Sequence, residues 1–178
     1  MAQKPWRDWV YLVIISTQLF GMLALDFVAF YPNSLYAAPS APLHFLVSLR
    51  KTYLATSGDP FFADAGHAPW FQGLLYIELL AQFPLAAYLV SQLASKKPAS
   101  GSGELAGLAF GCLTAMGSVA CCFELWEMGP DMVKDEHKAK LFYGTYLPFV
   151  VIPAVMAIDM YLRLLPRVRA GTVKPKKQ

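Results

Sequence analysis

Four long apolar runs, 9–30, 70–93, 105–126 and 141–165, alternate with polar stretches along this chain. Each holds about 22 to 25 residues, ~33 Å or more as α-helix, which matches the hydrocarbon core of a bilayer. The pattern predicts an all-α integral membrane four-helix bundle, a single domain over 1–178, with a long loop between helices one and two. The first run is longer than the apolar region of a signal peptide and has no clear small-residue cleavage site, so it is expected to be a retained helix. The connections differ in kind. Residues 94–104 are rich in Ser, Gly and Lys and read as a flexible linker. Residues 31–69 are too many for a passive connector. Within them Leu43, Leu46, Val47, Leu49, Arg50, Tyr53 and Leu54 have amphipathic helical spacing behind Ser40 and Pro42. That spacing predicts a short helix that either caps the mouth of the bundle or lies along the leaflet.

Composition agrees: 56% of residues are hydrophobic and only 15% are charged. Charge placement adds an orientation. Ten of the 15 Lys and Arg residues fall at the amino end, in the second connection and in the tail, and the rest fall in the first and third connections. The positive-inside tendency therefore predicts that both termini are cytoplasmic and the long loop lumenal. The tail has Lys174 and Lys176 as the fifth and third residues counted from its end. This spacing reads either as a dibasic retrieval signal of the endoplasmic-reticulum membrane or as a solvated basic tail beside anionic lipid.

Two carboxyls inside the apolar runs carry the functional signal. Asp26 stands near the outward end of the first run and Glu78 roughly 12 Å into the second. An ionisable group at membrane depth is costly unless it is paired, neutralised or facing a cavity, so each marks a candidate site. Both lie in the lumenal half, where neighbouring helices bring side chains together, and Gln82 follows Glu78 by one turn. If the two acids meet, one proton shared between them is the expected resting state. Such a pair suits a protonated amine whose apolar body rests on aromatic rings, and the fourth run offers Tyr143, Tyr146 and Phe149. The alternative is a carboxyl pair that holds two helices together by hydrogen bonds. Thr114, in mid-span, is a candidate ligand donor or a back-bonding threonine. Glu124 and Glu127 end the third run at the surface, with Glu124 a further candidate for the pocket. Asp159 and Arg163, four residues apart, read as a local ion pair. Pro84, Pro148 and Pro153 are expected to bend their helices and open space between them.

Other chemistries find no support in the pattern. Cys112, Cys121 and Cys122 share one helix and are placed to form no intrachain disulfide. His44, His67 and His137 are expected in loops, without the paired spacing of a metal site. No phosphate-cradling glycine loop and no basic, aromatic-interleaved nucleic-acid surface is present. The sequence thus predicts no metal, no cofactor and no nucleic-acid partner.

Four ordered segments carry a likeness: 26–32 (DFVAFYP), 58–60 (GDP), 69–82 with Glu78 and Gln82, and 146–153 (YLPFVVIP). In order and spacing they resemble the sigma-2 receptor branch of the EXPERA family, whose relatives include the emopamil-binding sterol isomerase. The resemblance implies a homodimeric endoplasmic-reticulum membrane protein that binds sterols or cationic amphiphiles, or an isomerase that uses the two acids on a sterol, terpenoid or epoxide. It implies that Asp26 and Glu78 are the ligand-binding acids, or the catalytic ones in an isomerase. Gln82, Tyr146 and Phe149 would line the pocket, and Asp59 would order the lumenal loop. Phe149 stands where the family usually has tyrosine, and Asp159 where it usually has an apolar residue.

Overall fold

Each apolar run forms a helix, and every helix overruns the hydropathy signal that predicted it. In this computed structural model the described residues are 3–62 and 68–172, with side chains through 170; Lys174, Lys176 and His67 lie outside them. The described chain is 81% helical without strands, and four helical stretches are long and apolar enough to cross a membrane. The first is α1 (Trp6–Ala24), continued by a 3₁₀ turn over Asp26–Phe30. The loop that follows holds α2 (Asn33–Tyr36), α3 (Phe45–Ser57) and a 3₁₀ turn at Pro60–Phe62. The second span is α4 (Pro69–Ile77), a π turn at Glu78–Gln82, and α5 (Phe83–Leu93). The third is α6 (Gly101–Glu127); the fourth is α7 (Asp135–Leu141), a π turn at Phe142–Tyr146, and α8 (Leu147–Thr172).

The early start of α6 has a local cause. Ser100 is its N-cap, and its hydroxyl accepts the Gly103 amide at 3.1 Å, so the helix begins in the Gly/Ser stretch that composition alone reads as linker. The prolines expected to bend spans two and four act in two ways. Pro84 and Pro148 cannot donate to the turn behind them, and in both places that turn widens. The Phe83 amide bonds the Glu78 carbonyl, and the Leu147 amide bonds the Phe142 carbonyl, each five residues back. Pro153 is carried inside the continuous α8.

Lipid offers little hydrophobic drive between helices, so close backbone approach matters more. On α6 a methyl placed at Gly111 would stand 2.6 Å from the Pro153 carbonyl oxygen and 3.1 Å from the Ala157 nitrogen, both backbone atoms of α8. Gly111→Ala is therefore expected to force α6 and α8 apart at a cost of about 1–3 kcal/mol. Gly73→Ala, where nothing stands within 4 Å, serves as control and is expected to melt within a degree or two of wild type in detergent. Equal melting of the two variants would remove this contact from the account.

The amino end, the connection after α5 and the far part of α8 share one end of the bundle. Lys4 lies over the Trp9 ring at 3.5 Å and donates to the Leu93 and Ser95 carbonyls. The expected local Asp159–Arg163 pair is part of a larger cluster there. Arg163 also bonds the fully buried Asp8 at 2.7 Å, Arg7 pairs with Asp159 at 2.8 Å, and the Tyr11 hydroxyl donates to Asp159 at 3.2 Å. Those partners account for an acid on a helix face that is otherwise apolar.

At the opposite end α3 lies over the bundle. Its helix starts at Phe45 rather than behind Ser40, because the Leu43 amide turns back to the Leu35 carbonyl and the His44 ring bonds the Tyr36 carbonyl. Leu46 packs on Ala24 and Val28 of span one. The helix ends at Gly58, whose φ of 61° is the left-handed conformation that glycine adopts without strain. His137, expected in a loop, belongs to α7 and sets its ring against Gly58.

Candidate functional site

Below α3 residues of all four spans line a partly open cavity of about 280 Å³. Asp26, Glu78, Gln82, Thr114, Tyr146 and Phe149 all line it. Local structure explains the convergence. The α-helix of span one stops at Leu25, where φ is −124°, and Asp26 opens the tighter 3₁₀ turn that follows. Glu78 opens the π turn of span two and Gln82 closes it, so both stay on the cavity side of a locally widened helix. Tyr146 closes the π turn of span four, and Phe149 follows one turn later on α8.

The two acids are half-buried and line the same space from different spans. Among the described residues neither forms an ion pair within 4 Å. The charged groups around Asp26 are Glu78, Asp59 and Arg50. Arg50 is held by α3, where it donates to the Phe62 carbonyl at 3.1 Å.

Polar groups deeper in the cavity are already tied to one another. Thr114 was expected either to back-bond or to serve a ligand; instead its hydroxyl donates to Gln82 Oε1 at 2.8 Å. The same oxygen accepts Gln18 Nε2 at 3.1 Å. Spans one, two and three are thereby joined by a buried triad. Gln18 was missed by sequence reasoning, although an uncharged amide in mid-span about two turns before Asp26 was a visible signal.

Asp59 is 1% exposed and stands behind the cavity wall. It accepts the Tyr53 hydroxyl at 2.6 Å, the Tyr146 hydroxyl at 2.8 and 3.0 Å, and the Phe61 amide at 3.1 Å. Tyr53 belongs to α3 and Tyr146 to span four, so this acid ties the loop to the bundle while both rings face the cavity. Burial pushes the Asp59 carboxyl above its ordinary value of 3.8, against the opposing pull of the donors from Tyr53, Tyr146 and Phe61. An acid whose folded pKa exceeds its unfolded one contributes stability that is full below the unfolded value and is lost as pH rises through the folded value. Raising the pH from 4 is therefore expected to lower the melting temperature of wild type relative to Asp59→Asn; parallel curves would contradict this.

Two candidates fall outside the cavity. Glu124 lines a separate shallow groove with Trp70, Ala120, Phe123 and Glu127. Tyr143 is 64% exposed and turned outward. Among the described residues no cluster of His, Cys, Asp or Glu is arranged to hold a metal ion. The three cysteines are free thiols, and Cys121 lines the cavity. Sequence reasoning also missed Tyr53, Phe62, Ser118 and Thr145 in the wall.

Fold and site together define a multi-pass membrane protein with an acid-bearing cavity inside a four-helix bundle. The family model described as EBP, EXPERA (EXPanded EBP superfamily), matches residues 45–160, and the chain belongs to that family. It is similar to the "Efficient mitochondria targeting-associated protein 19" of Schizosaccharomyces pombe, with 32% identity over 130 residues. That alignment covers 73% of this chain and 64% of the relative, less than two thirds of the relative's length.

Proposed function

We propose that the chain binds a sterol-like lipid or lipophilic amine in this cavity. The observation that carries the reading is that Asp26 and Glu78, from two different spans, line one cavity at membrane depth without an ion-pair partner among the described residues. A ligand ammonium would supply the missing positive charge, and the rings of Phe62, Phe71, Tyr146 and Phe149 would hold its apolar body. A volume of about 280 Å³ suits one compact amphiphile. The basic tail and the distribution of Lys and Arg favour the endoplasmic-reticulum membrane with both termini in the cytoplasm. The likeness to the sigma-2 receptor branch favours a homodimer.

A second reading is favoured by the presence of two carboxyls, rather than one, in the same cavity. In an isomerase the neutral acid would protonate a ligand alkene. Aromatic rings and the second carboxylate would stabilise the cation, and that carboxylate would then remove a proton from a neighbouring carbon. The double bond moves, and no cofactor is consumed. Lipid extracts from cells lacking the protein separate the readings. A binding protein leaves isomer ratios unchanged and alters lipid distribution, whereas an isomerase leaves an accumulated precursor. Extracts identical to wild type in both respects would overturn both.

A further inference from the structure

Serine and threonine on membrane helices usually return their hydroxyl hydrogen to a carbonyl one turn back. Thr17 does so toward Val13 at 2.9 Å, and Thr56 and Ser57 do so in α3 at 2.8 Å. Thr114 gives its hydrogen to Gln82. Ser118 and Thr145 do neither. Among the described residues their hydroxyls have no hydrogen-bond partner, both residues line the cavity, and neither oxygen is sealed away from it. At Thr145 the cause is local: it lies in the π turn at Phe142–Tyr146, whose longer-range bonds displace the carbonyl that an α-helical threonine would use.

The cavity therefore receives different polar groups from its two pairs of helices. Spans one and two supply the acids, and spans three and four supply two uncommitted hydroxyls. A hydroxyl without a partner in an apolar interior is costly, so these two are expected to find one when the cavity is filled. We infer that the ligand is an amphiphile bearing, besides the group that faces the acids, an oxygen function, a hydroxyl or carbonyl, and that Ser118 and Thr145 recognise that oxygen. The inference rests on the amphiphile-binding reading and narrows its ligand class: a hydrocarbon body with a single amine leaves these two hydroxyls unanswered.

The test uses two probes on the full-length protein in nanodiscs, a lipophilic tertiary amine and a set of its analogues with one hydroxyl added at successive positions of the ring system, the tightest of which is the hydroxylated probe. Wild type is expected to bind the hydroxylated probe about 3- to 10-fold more tightly, the range of one net hydrogen bond. Ser118→Ala combined with Thr145→Val is expected to bring that ratio to about 1, and the ratio is the readout whatever the two substitutions do to the affinity for the plain amine. A ratio near 1 in wild type, or one that survives in the double variant, overturns the inference. Glu78→Gln is expected to weaken both probes and keep the ratio; if it weakens neither, the acid-pair reading fails while the ratio still decides the role of the two hydroxyls. Should neither amine bind wild type, mass spectrometry of co-purified lipid decides. A species with two or more oxygens that the double variant loses supports the inference, and its absence overturns it.

Discussion

Glu78→Gln is expected to weaken binding of a lipophilic amine by roughly two orders of magnitude, about 3 kcal/mol, while leaving the fold intact. The amide keeps the size of the carboxyl and its place at the head of the π turn, and removes only the charge that an ammonium answers. Asp26→Asn is expected to act in the same direction. The double variant should be little worse than the stronger single one, because the two acids face one cavity and on the proposed reading would answer one cation. Saturation binding in nanodiscs, with melting temperature as the folding control, measures all three. A neutral sterol should lose far less, since its transfer from lipid to cavity involves no ion pair.

Arg163→Met is expected to be the most destabilising single substitution at the other end of the bundle. Asp8 is fully buried, and its Oδ2 already lacks a partner; losing the 2.7 Å pair to Arg163 would leave the whole carboxylate uncompensated. Removing one partner of a buried pair costs about 3–5 kcal/mol. Asp159 retains Arg7 at 2.8 Å, so the penalty falls on Asp8. Adding Asp8→Leu to Arg163→Met should therefore recover much of the loss. Thermal unfolding in detergent reads both effects, and a single variant that melts with wild type would show that the cluster is not a structural element.

The parts of this molecule that depend on composition were legible, and those that depend on convergence were not. Apolar run length is a one-dimensional property, so the four spans could be read along with the two acids inside them. Asp8 escaped because a charged residue at the edge of an apolar run looks like solvated flank, and only folding shows that α8 brings Arg163 to it. Gln18 escaped because its role depends on Gln82 and Thr114, 64 and 96 residues away. Tyr143 and Tyr146 looked equivalent because residues three apart share a helical face. The π turn at Phe142–Tyr146 breaks that spacing, so Tyr146 faces the cavity and Tyr143 the outside. The loop helix was visible in its amphipathic period. Its latch was less so, because Asp59 sits in a short GDP turn while the tyrosines that bind it come from α3 and span four.

Photolabelling is the most direct measurement of whether the acid-lined cavity is a ligand site. A photoreactive lipophilic amine should label peptides that carry cavity residues such as Leu74, Cys121 and Phe149. That labelling should be competed by unlabelled amine and lost in the Asp26→Asn, Glu78→Gln variant. Labelling confined to the outward residues Phe20, Met116 and Phe123, or competed equally well in the variant, would contradict the account.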